Sequence, residues 1–247
     1  MHAAFAPFVV IVILFIILRF YSVFPFVPAN VSLETIGGAL LATFLRLFVA
    51  YALALAVSVP LALLVTRSPL MERLLLPVFD IAQSIPVLAF FPLIIIFFMH
   101  FGFTNGAAVF IIFLSMLWNI VFSLVGGLNV IPSDIKAAAQ VFGIRGIGFV
   151  RKILLPAVVP YIVTGSLLAW AQGWNIVIVA EVLHTYIPGG SASNDLFGIG
   201  STLVNATAKG ENGVFIVAIL AMVLLIALLN FFVWQKLLHY AERYKFE

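Results

Sequence analysis

Cysteine is absent from the 247 residues, and charge is nearly so, at 9% of the chain. The first absence removes any disulfide framework, thiol nucleophile or thiolate metal site. The second, set against a hydrophobic share of 65%, lies well outside the balance of a soluble globular domain. The four histidines are scattered without metal-ligand spacing, so no zinc site is expected. No GxxxxGK[ST] stretch occurs, which excludes a P-loop ATPase within this chain. The formal charge of +3 invites an anionic partner, but Lys and Arg gather at the cytoplasmic ends of membrane spans for topological reasons, and the balance carries no nucleic-acid meaning.

What is present is apolar sequence in blocks long enough to cross a bilayer core of about 30 Å, at roughly 20 residues each. Six can be drawn, at 3–23, 40–65, 78–99, 107–125, 158–182 and 214–234. The first lacks the basic start and small-residue cleavage site of a secretory signal and reads as a retained span. Runs such as LIIIFFM and VAILAMVLLIALL are apolar on every face, so helices are expected rather than the alternating strands of a membrane barrel. The fold expected is therefore all-α and integral to the membrane, with six transmembrane helices forming one domain over 1–247.

Basic residues orient it. Arg67 and Arg73, then Lys136, Arg145, Arg151 and Lys152, then Lys236, Arg243 and Lys245 occupy one set of connections; the alternate set holds only Lys209. Both termini and the segment 129–157 are placed in the cytoplasm, and the connection 183–213 outside. Arg19 and Arg46 fall inside spans, where snorkelling or a protein-lined site would hold them.

Within the cytoplasmic segment, Pro132, Ser133 and Asp134 supply a helix start. Ile135, Ala139 and Phe142 recur at helical spacing and predict one apolar face, with Lys136 and Gln140 on another. Gly143 and Gly146 permit a turn, after which IGFVRKILL begins a second helical piece before Pro156. On periodicity alone such a shelf serves equally as a docking element or as an interfacial helix lying on lipid headgroups.

The stretch AAAQVFGIRGIGFVRKILLP, 137–156, resembles the EAA loop of ABC importer permeases: two alanines (Ala138, Ala139), three residues, Gly143, nine residues, then Ile153, Leu154, Leu155 and Pro156. Ala137 stands where the family carries Glu. QSIPVLAFFPLIIIFF (83–98), WAQGWNIVIVAEVL (170–183) and GIGSTL (198–203) are similar to segments of the nitrate/sulfonate/taurine branch, and the tail VWQKLLHYAERYKFE to a sub-branch of it. The resemblance implies a type I importer permease of the bacterial or archaeal plasma (inner) membrane, without an ATPase site of its own. Its coupling residues would be Ile135, Ala138, Ala139, Phe142, Gly143, Ile153, Leu155 and Pro156. Partners implied are a dimer of ATPase subunits carrying the ATP and Mg, a second permease copy or paralogue, and an external solute-binding protein docking at the outer connection; this chain itself would bind no cofactor. Small oxyanions such as nitrate, sulfonates, taurine or bicarbonate are the solutes implied.

Polar residues inside the spans are candidates for the translocation path. Ser115, Asn119 and Ser123 follow one another at intervals of four and share a helix face; Gln172 and Asn175 lie in the fifth block. Each alone also fits a hydrogen bond between helices, commonly about 0.6 kcal/mol; Asn119 and Asn175 together point to the path. Glu181, near the outer boundary, is expected at a gate or as a hydrogen bond between helices or subunits. Prolines 60, 86, 92 and 160 interrupt spans, and kinks at Pro86 and Pro92 would shape a cavity or serve as packing bends. A secondary transporter or channel, the alternative, calls for intramembrane charge pairs and inverted repeats, and neither is evident in the sequence. An intramembrane enzyme would need a nucleophile with its base, or paired acids, and His100 and Glu181 have no such partner at helical spacing.

Overall fold

The computed structural model describes residues 32–187 and 189–244, so the block 3–23 and Arg19 lie outside the described residues. Every long element among them is a helix. Among the described residues four helices are long and apolar enough to cross a membrane, and a bent pair of shorter helices meets the same measure when taken together.

Helix α1, Leu33–Val65, starts seven residues before its apolar block, because the Ser32 hydroxyl accepts the free Thr35 N–H at 3.2 Å and Glu34 sits in the first turn, where the helix dipole favours an acid. Its 33 residues extend about 50 Å, well beyond a bilayer core. Pro60 is accommodated within it without a break.

The third block departs from expectation. Instead of one helix it forms α2, Pro69–Ser84, and α3, Phe91–His100, the latter entered through a tight turn at Val87–Phe90. The two halves meet at 74°. The residue before a proline is pushed out of helical geometry, and Ile85 is accordingly extended (ψ 124°) ahead of Pro86. Pro92, by contrast, makes no kink: it lies in the first turn of α3, where an N–H is not needed.

Helix α4, Thr104–Asn129, is the centre of the molecule, packed along α1 on one side and along the fifth apolar helix on the other. Ile111, Ile112, Met116, Ile120 and Val121 are fully buried on it. After the short helix α5, Ser133–Val141, the chain turns at Gly143 and Gly146, both with positive φ (68° and 58°), and re-enters helix at Ile147. From there one run continues to Glu181. Pro156 does not separate two pieces as expected: having no N–H, it drops one bond from the ladder, and the turn Val150–Leu154 widens so that Leu155 donates to the Val150 carbonyl. Helix α6, Leu155–Glu181, follows. The outer connection contains helix α7, Ile199–Lys209; then come α8, Asn212–Leu229, a widened turn at Asn230–Trp234, and α9, Gln235–Glu242.

The crossing of α4 and α6 is set by Gly165. A β-carbon there would lie 2.7 Å from Ser123 Cβ and 3.1 Å from the Asn119 carbonyl oxygen, atoms fixed to the α4 backbone. Gly165→Ala is therefore expected to destabilise by about 1–3 kcal/mol, read as a lower thermal midpoint in detergent, whereas Gly126→Ala, where open space surrounds the added carbon, should leave that midpoint at or above wild type.

Candidate functional site

Three regions carry the polar chemistry of the chain. At the inner end is the shelf formed by α5 and the turn after it. Ala139 is buried and Ile135 half-buried against the helix bundle, while Ala138, Val141, Phe142 and Gly143 face outward, Val141 and Phe142 being 84% and 79% exposed. The single apolar face expected for Ile135, Ala139 and Phe142 is thus divided. Helix α5 ends at Val141 and Phe142 sits in the capping position, so the helical spacing no longer applies to it. Ile153 and Pro156 are half-buried and Leu155 is 42% exposed. The shelf has an inner side anchored to the membrane helices and an outer apolar side that none of the described residues covers.

Midway along the bundle, the stripe of polar residues on α4 leaves contact with α6. Ser123 packs at the Gly165 crossing, and beside the two helices a cavity of about 390 Å³ opens towards the break in the third span. Ser115, Asn119 and Gln172 line it, and so do Gln83, Trp118 and Ile85 to Leu88. Ser123 and Asn175 do not; Asn175 is exposed on another face of α6, so the structure joins Asn119 to Gln172 rather than to Asn175. Gln83 and Trp118 were not singled out in the sequence; Gln83 stands just before Ile85-Pro86, which was the available signal. The Ser115 hydroxyl donates to the Ile112 carbonyl at 2.7 Å and the Asn119 amide to the Ser115 carbonyl at 3.3 Å, leaving the Asn119 oxygen and a second N–H without a partner on their own helix. The lining holds amides, a hydroxyl and an indole, and no charged side chain.

The outer end is organised by Glu181, fully buried at the end of α6. Its carboxylate accepts from Thr43 Oγ1 at 2.6 Å, Arg46 Nη1 at 2.7 Å and the Gly200 N–H at 2.7 Å. Arg46 spends its other donors on Asn105 Oδ1 and the Phe197 carbonyl, both at 2.9 Å, and Thr43 Oγ1 in turn accepts the Ile199 N–H at 2.9 Å. The first N–H groups of α7, unpaired in any helix, are thus satisfied by α1 and α6 together. Gly198 completes the fit, since a β-carbon there would collide with the carboxylate. Arg46 is held by protein rather than by snorkelling. The sequence showed no intramembrane charge pair, and the structure corrects this. Arg46 and Glu181, 135 residues apart, form one. Among the described residues no group of three or more His, Asp or Glu side chains comes together as a metal site.

This architecture defines a polytopic helical membrane protein with a shelf projecting from one end of its bundle, and its sequence places it further. Residues 55–238 match the family model of the binding-protein-dependent transport system inner membrane component, and the chain belongs to that family. It is 33% identical over 185 residues to the nitrate import permease protein NrtB of Leptolyngbya laminosa, covering 75% of this chain and 62% of that one. It is 31% identical to the bicarbonate transport system permease protein CmpB of Synechocystis sp., over 60% and 52% of the two chains. The match to the taurine transport system permease protein TauC of Escherichia coli is 24%, over 63% and 56%. The chain therefore spans only about three-fifths of the length of these nitrate permease relatives. A solved structure of the MetNI methionine ABC transporter in inward-facing conformations shares the fold, with a TM-score of 0.70 at 18% identity over 85% of this chain and 97% of that one.

Removing one partner of a buried ion pair strands the other. Arg46→Met is expected to destabilise by about 3–5 kcal/mol and to expose the segment around α7 to protease, while the double change Arg46→Met with Glu181→Met recovers only part of the loss, because the Gly200 N–H and the Thr43 hydroxyl then lack their acceptor; a single variant as stable as wild type would show that the pair does not hold the outer end together.

Proposed function

We propose that this chain is the membrane-spanning subunit of an ATP-driven importer, with two six-helix domains around a central path, coupled to separate ATPase subunits that supply ATP and Mg and served outside by a solute-binding protein. Identical or paralogous halves both fit this arrangement. The observation that carries the reading is the shelf: its inner side is fastened to the bundle through Ile135 and Ala139, and its outer side presents Ala138, Val141 and Phe142 for a partner. Closure of an ATPase dimer against such a shelf moves α4 and α6, which flank the cavity, and so alternates access to it. Ala137, at the position where the family pattern has Glu, is exposed, so the contact made there is apolar. The family, together with the basic residues of the inner connections, supports a plasma (inner) membrane location with both termini in the cytoplasm.

The solute is a small oxyanion of the kind named for the relatives, nitrate, bicarbonate or taurine. Asn119 and Gln172 would hold it through neutral amide donors, with Ser115, whose proton goes to the Ile112 carbonyl, beside them, which suits a site that must release its ligand. Helix α7, clamped by Glu181, gives the outer connection a fixed surface for the binding protein. A secondary transporter remains the rival, and the Arg46–Glu181 pair is the feature such a reading would look for. Every hydrogen bond of that pair ends on another helix or on the turn before α7, and neither residue lines the cavity, so it serves as a clamp rather than as a carrier site.

The test is affinity purification of the tagged chain from its native membranes. Wild type is expected to bring down an ATPase and a solute-binding protein, and Phe142→Asp to lose the ATPase by about thirtyfold or more, as for an aromatic anchor worth at least 2 kcal/mol, with the thermal midpoint of the chain unchanged because that side chain is exposed. A wild-type complex reproducibly free of any ATPase would sink the importer reading.

A further inference from the structure

A second cavity, of about 350 Å³, lies at the inner end of the bundle, between the coupling segment and the end of α9. Ile135, Ile153, Pro156 and Ala157 line it together with Lys152, Arg243 and Tyr244. Both cations are exposed, and among the described residues neither makes an ion pair. Glu242, the nearest carboxylate in sequence to Arg243, is turned to His239 at 3.3 Å. No Asp or Glu lines the cavity.

We propose that this cleft binds the phosphate headgroup of an anionic phospholipid. Lys152 and Arg243 provide the charge, arriving from two helical runs that do not adjoin in sequence, and the Tyr244 hydroxyl, already paired with Tyr240 at 2.8 Å, stands beside them. The apolar residues of the lining explain why the ligand is a lipid rather than a free anion. Exposed apolar side chains stand on the same elements, Leu155 opening α6, Phe231 and Phe232 in the widened turn before α9 and Leu237 within α9, along which acyl chains can lie. A bare phosphate would meet the cations and leave that surface uncovered. The volume also exceeds what one phosphate needs and falls in the range of about 300–1,000 Å³ that encloses larger ligands. Basic pockets between membrane helices on the inner side are a recurrent form of headgroup recognition. Because Ile135, Ile153 and Pro156 also belong to the shelf, a bound lipid would tie the shelf to α9 and stiffen it. The site stands on its own geometry and does not depend on which solute is carried or on an ATPase.

The full-length chain, with whatever subunits accompany it, is placed in nanodiscs of phosphatidylcholine mixed with phosphatidylglycerol, and retained lipid is counted by native mass spectrometry after release. Wild type is expected to keep phosphatidylglycerol, and Lys152→Gln with Arg243→Gln to keep about thirtyfold less, at about 1 kcal/mol for each cation near the surface. Arg145→Gln with Lys236→Gln, which removes two cations outside the cleft, should not lower retention. Equal retention by the Lys152/Arg243 variant, an equal loss in the Arg145/Lys236 variant, or displacement of the lipid by inorganic phosphate alone would each overturn the proposal. Photo-crosslinking of a phosphatidylglycerol probe to wild type gives a check that needs no variant: label on the peptides containing 152–157 and 243–244 supports the site, and label elsewhere removes it.

Discussion

A carboxylate buried at the outer end of a membrane helix is tolerable only if its oxygens are fully engaged, and the outer half of this molecule is arranged around meeting that demand. Glu181 draws Thr43 and Arg46 from α1 and the first turn of α7 onto one point. The arrangement is reciprocal. Without the carboxylate, the N–H groups that open α7 and the guanidinium of Arg46 would be stranded; without them, the carboxylate would be a charge in an apolar surrounding, which costs far more than the hydrogen bonds return. The packing of α1 against α6 and the attachment of the external helix therefore stand or fall together.

The helix bundle and the inner shelf were legible because their signals are local. Apolar blocks, two glycines and the fixed spacing from Ala138 to Pro156 are all read within a few turns of chain, and the structure realises the turn at Gly143 and Gly146 with the left-handed backbone those residues permit. Where the reading failed, a local rule was carried across a boundary. Phe142 was assigned to the face of Ile135 and Ala139 by extending helical periodicity one residue too far, past the end of α5. The third block was drawn as a single span because hydropathy is blind to direction, although Pro86 marked the place of the break. The clamp at Glu181 was not legible at all beyond the cost of the residue itself. Its partners lie 138, 135 and 19 positions away, and only the glycines of GIGSTL hinted at a close approach.

The central cavity lies beside the packed seam of α4 and α6. Gly165 draws α4 and α6 together at Ser123, Gly173 brings them together again at Met116, and Asn119 and Gln172 open onto the cavity from the flank of that packed seam. A face that looked uniform in sequence is half interface and half lining. Sequence spacing identifies which residues share a face, but the crossing point decides which of them meet a neighbour and which meet open space.

The 74° break carries one further physical consequence. At 1.5 Å per residue, α2 is about 24 Å long and the piece from Val87 to His100 about 21 Å, so neither alone reaches across about 30 Å of hydrocarbon. The peptide groups between them, at Ile85 and Pro86, belong to no helix, and such groups are stable at membrane depth only where water or protein can solvate them. These same residues form one wall of the cavity. The space between α4, α6 and the broken span must accordingly stay hydrated, because drying it would desolvate the backbone that gives it its shape.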